Sequence, residues 1–180
     1  LLVRAKFSWP SYLASMAAVL SHLLLDWTNS YGIPLALPFS EHRFRLDTVN
    51  LVDYWIWAIL VGALWATALF SLVDGQIRPS SNPGARRGWA WAALLVLLAF
   101  ESCRWVAHQR AIKVMASRVY EGAPPRRVTA LPGALNPLAW RGVIEGDGFT
   151  IIVPVNLAGE YDPGAGRLYR DAPPDFARDA

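Results

Sequence analysis

Charge is what this sequence has little of. Only 17% of its 180 residues are Asp, Glu, Lys or Arg, against 54% hydrophobic, whereas a soluble domain carries roughly a quarter charged. The net charge is +3 with no long run of Lys or Arg, which speaks against a nucleic-acid partner. The one cysteine, Cys103, excludes an internal disulfide and leaves the redox compartment open. There is no internal repeat, no heptad pattern and no signal peptide with a cleavage motif. The first residue is Leu1 rather than Met, from which we expect a longer protein whose preceding segment could hold part of a site.

What is present is apolar blocks and tryptophan. Residues 49–72 read VNLVDYWIWAILVGALWATALFSL, with Asp53 as their one charge. Such a run is long enough to cross a ~30 Å hydrocarbon core as a helix, and it lacks the polar face that a helix of a soluble protein shows at the helical period. Residues 89–107 form a second candidate, apolar until Glu101 and Arg104. Residues 7–27 form a third, rich in Ala and Ser, with Ser11 and Ser15, Ala14 and Ala18, and Ala17 and Ser21 four apart. Small pairs at that spacing let helices approach closely in a bilayer. Trp9, Trp27, Trp55, Trp57, Trp89, Trp91 and Trp105 fall near the ends of these segments, as an interfacial belt requires, while Trp65 lies mid-span.

The expected fold is a mainly α membrane protein of about three transmembrane helices with a small C-terminal segment containing a β-hairpin. Residues 1–108 would be the helical bundle, 109–125 an amphipathic helix and linker, and 126–180 the β-rich segment. Residues 74–88, DGQIRPSSNPGARRG, read as a loop. Ala111, Val114, Met115 and Val119 would make the apolar stripe of the amphipathic helix, opposite Arg110, Lys113 and Arg118. In AWRGVIEGDGFTIIVPV, two β-rich runs flank GDG, a hairpin signal, and Pro154 belongs at a strand edge or bulge. The tail of residues 171–180 reads as loose. With three spans, the positive-inside rule would set residues 74–88 inside and residues 28–48 outside, although Arg104, Arg110, Lys113 and Arg118 oppose it.

Against this apolar background stands SHLLLDWTNSYGIP, residues 21–34. On a helix, Ser15, Ala18, His22 and Asp26 share one face. His22 and Asp26, one turn apart, can ligate one metal ion or simply hydrogen-bond to each other, and ionisable groups in spans usually face a cavity or an interior partner. Thr28, Asn29 and Ser30 continue a helix poorly, Gly32 suits a left-handed cap, and Pro34 forbids continuation. The pair therefore falls near the water boundary. The next loop carries Glu41, His42, Arg43, Arg45 and Asp47, and Asp53 opens the following span. Asp47 and Asp53 could return to the pair as further ligand or general base. Arg43 and Arg45 either bind a phosphate or carboxylate or anchor the interface, and His42 reads as a surface residue. Glu101, Arg104 and His108 share a face, as a helix-end ion pair or as neighbours of the cluster.

Residues 22–57 resemble a family of bacterial inner-membrane proteins described as predicted membrane-bound metal-dependent hydrolases. The likeness rests on His22, Asp26, Tyr31, Gly32, Pro38, Phe39, Arg43, Phe44, Leu46, Asp47 and Asp53, and further along on Pro132, Asn136, Pro137, Trp140 and Arg141. Members carry a further His-bearing segment with a Thr-His step before this first span, which this chain lacks. The resemblance implies the membrane fold and a metal site. The expectation is a hydrolase with a divalent metal on His22 and Asp26, Zn²⁺ before Mn²⁺ or Mg²⁺, which prefer oxygen. Asp53 and Asp47 would be catalytic and Arg43 and Arg45 substrate-binding, with membrane lipids as surroundings and a lipid-like ester or phosphoester as substrate. The rival is a non-catalytic scaffold whose His22, Asp26 and Asp53 lock helices together.

Overall fold

The computed structural model describes residues 8–50, 52–77 and 83–170, with backbone alone at 73–77 and 83–87. The chain divides into two compact units, Leu1–Leu51 and Val52–Ala180.

In the first unit, helix α1 spans Trp9–Thr28, with Pro10 in its first turn, where a missing N–H costs nothing. It ends at Asn29, which is extended and whose N–H still reaches Leu25 O at 3.2 Å. The Asn29 side chain then accepts from the N–H groups of Tyr31 and Gly32 at 2.7 and 3.0 Å, a local bond that turns the chain away from the helix axis. Asn29 therefore closes the helix, not the expected Gly32. Gly32 serves the turn beyond: its φ is +71°, and a Cβ there would lie 2.8 Å from Phe44 O. The loop is pinned by isolated bridges, Ile33 with Phe44 and Asn29 with Val49.

The second unit opens with a helical hairpin, α2 at Tyr54–Ile77 and α3 at Pro83–Ala116. The two run antiparallel: Arg104 meets Asp53 at one end, and the rings of Phe70 and Trp89 stack 4.6 Å apart at the other. The helices take in most of the expected 74–88 loop, because Pro83 is tolerated at a helix start. The expected amphipathic helix is not a separate element but the C-terminal part of α3, since nothing between Ala107 and Ala116 breaks the helix. Two of the described helices are long and apolar enough to cross a membrane, at Tyr54–Leu72 and Gly88–Ala116. Helix α1 forms over the residues expected of the third span, but its serines, His22 and Asp26 keep it out of that class.

After α3 comes a four-stranded antiparallel sheet in the order β1-β2-β3-β4, at Arg127–Pro132, Ala139–Glu145, Phe149–Asn156 and Arg167–Arg170. The anticipated hairpin is β2–β3, turning through GDG with Gly146 N bonded to Phe149 O and Gly148 at φ +78°. Alternation along β3 buries Phe149, Ile151, Val153 and Val155, the period-two pattern of a sheet with one covered face. That face packs on Ala107, Ala111 and Met115 of α3, and Trp140 and Ile144 complete the core. Val119 of the expected stripe is exposed instead. Gly142 permits the close approach of helix and sheet: a Cβ there would fall 2.1 Å from Met115 Sδ. Pro154 lies beyond Ile152, the last β3 residue that β4 pairs, so β3 is locally an edge there, where a strand proline is tolerated.

Candidate functional site

The polar residues picked out in the sequence fall into two groups, one in each unit. In the first, the helical period brings His22 Nε2 within 3.3 Å of Asp26 Oδ2. Both remain accessible, with 75% and 37% of their side-chain surface exposed. Asn29 Nδ2 donates to the other carboxylate oxygen of Asp26 at 3.4 Å. The residue that ends α1 thus also orients its last acid.

The chain returns to this helix end. Leu46 N–H donates to Trp27 O at 2.9 Å, and the N–H groups of Thr48 and Val49 donate to Thr28 O at 3.0 and 3.1 Å. The Thr48 hydroxyl adds a bond to the same carbonyl. These bonds satisfy carbonyls that the end of a helix leaves open. They also carry the backbone on either side of Asp47 to the last turn of α1. Asp47 is buried, sits at φ +54° and pairs with Arg45 Nε at 3.4 Å. Arg43 lies over the Tyr31 ring at 5.0 Å, and His42 is exposed with its ring edge-on to Phe44.

Asp53 belongs to the second group. Its Oδ1 accepts from Trp55 N–H at 3.0 Å, capping α2, and its Oδ2 faces Arg104 Nη2 at 3.9 Å. Both side chains are 2% exposed. Arg104 also donates from Nη1 to Pro137 O at 2.7 Å and lies over the Trp140 ring at 4.6 Å. The His108 ring stands 5.4 Å from that same indole. So Glu101, Arg104 and His108 share a face, and across the helices Arg104 also meets Asp53. Sequence reasoning missed this pair, and the signal was available: a buried cation in a span needs a counter-charge, and Asp53 is the acid that opens the neighbouring span.

Among the described residues, no three His, Cys, Asp or Glu side chains are gathered as a metal-binding group. The His22–Asp26 pair nevertheless fits two corners of one. Ligand bonds of about 2.0–2.2 Å in a tetrahedron put donor atoms roughly 3.3–3.6 Å apart, and Nε2 and Oδ2 stand at the lower end of that range, 3.3 Å.

A family model described as YdjM inner membrane protein matches residues 1–111. The chain belongs to the YdjM inner membrane protein family. It is accordingly an integral protein of the bacterial inner membrane, in keeping with the apolar lengths of α2 and α3. The matched residues take in α1, the loop with Arg43, Arg45 and Asp47, and the hairpin through His108, but not the sheet. No curated protein and no solved structure matches the chain.

Proposed function

We propose that this YdjM-family chain is a membrane-embedded, metal-dependent hydrolase acting on an ester or phosphoester at the bilayer surface. The observation that carries the reading is the accessible His22–Asp26 pair with its 3.3 Å donor spacing at the end of a helix. A divalent cation bound there lowers the pKa of a coordinated water to near neutrality and so supplies a nucleophile. An imidazole with a carboxylate suits Zn²⁺ better than Mn²⁺ or Mg²⁺. Asn29 bonds one Asp26 oxygen, so Oδ2 on the His22 side is the oxygen that would hold the metal. Asp47 is the proposed general base, returned to this turn by the 46–49 segment. Arg43 and Arg45 would receive anionic substrate oxygens, Arg45 from a half-exposed position beside Asp47.

Elemental analysis of the purified full-length protein tests this. One equivalent of a divalent metal is expected in the parent, and Asp26→Asn should lose it while still inserting into the membrane, because a ligand's charge and lone-pair strength go together. An Asp26→Asn variant with as much metal as the parent would make the pair structural. A second reading, the non-catalytic scaffold, draws support from Asp53: one of its oxygens caps α2 and the other faces Arg104 of α3. For Asp53 itself we favour that locking role.

A further inference from the structure

We infer that the C-terminal sheet is seated on the bilayer surface by the loop of residues 133–138, whose apolar tip enters the lipid interface. The first support is where lipid must leave α3. Its candidate span of 29 residues, uncharged up to Phe100, is about 44 Å long at 1.5 Å per residue, well beyond a ~30 Å hydrocarbon core. The excess lies at the C-terminal end, where Ala107, Ala111 and Met115 are covered by the sheet and not by lipid. The boundary therefore falls near Arg104, level with Asp53 at the start of α2. Trp55, Trp57 and Trp105 are 47%, 60% and 52% exposed at that level, the place and side-chain type of an interfacial belt.

The loop is bound to both helices at this boundary. Trp55 Nε1 donates to Leu135 O at 2.9 Å, and Arg104 Nη1 donates to Pro137 O. It contains no charge: Gly133, Ala134, Leu135, Asn136, Pro137 and Leu138. Part of its polar backbone is bonded within the loop, with Gly133 N–H on Ala139 O, Ala139 N–H on Asn136 O and Leu138 N–H on the Asn136 side chain. Its apolar side chains point the other way, Leu135 being 75% and Leu138 43% exposed. An uncharged surface loop with outward leucines is poorly suited to water and fits the interfacial layer, where apolar side chains enter the acyl boundary. Continuity with the tryptophans of two spans makes the occupant a lipid surface.

The test uses the full chain in a Cys103→Ser background, reconstituted into phosphatidylcholine–phosphatidylglycerol vesicles. An environment-sensitive fluorophore is attached at Leu135→Cys, at Leu138→Cys or at Asp147→Cys. Asp147 lies in the β2–β3 turn, about 20 Å along β2 from the loop. Brominated lipid should quench the label at 135 and 138 at least severalfold more than at 147, and aqueous iodide should do the reverse. Equal iodide quenching at 135 and 147 would overturn the inference. So would shielding of 135 from both quenchers, since that marks a protein partner or a second copy over the loop. Circular dichroism matching the parent confirms that each labelled variant is folded.

Discussion

Arg104 holds three things at once: the carboxylate of Asp53, the carbonyl of Pro137 and the face of Trp140. At 2% exposure it has exchanged water for those partners, and a buried ion pair of this kind punishes the loss of one member more than the loss of both. Arg104→Leu should destabilise the second unit by about 3–5 kcal/mol, because it strands a buried carboxylate. The double variant with Asp53→Asn should recover part of that loss in denaturant unfolding in detergent. Simple additivity of the two single effects would show that the 3.9 Å pair carries no coupling. Arg104→Lys should not substitute, since an ammonium cannot keep the forked contacts and the stacking. The exposed His22–Asp26 pair is the opposite case. Surface ion pairs contribute about 1 kcal/mol or less, so His22→Ala should barely move the unfolding midpoint of metal-free protein. A large shift there would mean that the pair is a structural lock.

At the scale of elements, the contact between α3 and the sheet depends on Gly142. The Cβ of Gly142→Ala would overlap the thioether of Met115, and overpacking of this sort costs about 1–3 kcal/mol. Thermal unfolding should show the loss in the sheet, and an unchanged midpoint would mean that Met115 moves aside freely. The sheet end of the unit also carries a tyrosine pair. The Tyr120 hydroxyl donates to Met115 O at 3.0 Å and lies 2.6 Å from the Tyr161 hydroxyl, which must then donate to Tyr120. Burial pushes both phenols above their ordinary value, and the neighbouring Tyr120 hydroxyl pushes Tyr161 further. Folded values raised above unfolded ones give stability that is whole below pH 10, where the unfolded phenols begin to ionise, and that drains away as pH climbs towards the folded values. Unfolding midpoints should therefore fall above pH 10, less steeply in Tyr161→Phe. That variant should cost about 1 kcal/mol at neutral pH for its lost hydrogen bond. Equal alkaline slopes in parent and variant would remove Tyr161 from the account.

For the second unit, the hairpin of α2 and α3 puts the Phe70–Trp89 contact and the sheet at opposite ends. Contacts from Asp53–Arg104 to Phe70–Trp89 span about 23–26 Å of helix, most of a hydrocarbon core. Cysteines at Ser81 and Asp147 in a Cys103→Ser background should thus react with a membrane-impermeant maleimide from opposite sides. The positive-inside count expects Ser81 on the cytoplasmic side, so it should label only in inverted vesicles. Reaction of both cysteines from one side would dismiss the two-span hairpin, whatever its orientation.

Apolar length is a one-dimensional property, so the sequence by itself determined the membrane character, the apolar middles of α1, α2 and α3 though not their ends, and the GDG hairpin. The same holds for the contact of His22 with Asp26, which the helical period fixes within a single turn. The return of Asp47 to the end of α1 was legible only as a possibility, because it rests on backbone bonds from Leu46, Thr48 and Val49 that no side-chain pattern announces. Two further strands beside the hairpin went unread, since β1 and β4 are short, at six and four residues, and their pairing is decided by neighbours and not by alternation. The partner of Asp53 was likewise a tertiary matter. It lies on a helix some fifty residues away, and only the antiparallel packing of α2 on α3, with the sheet closing over Arg104, brings that charge to the carboxylate of the neighbouring helix.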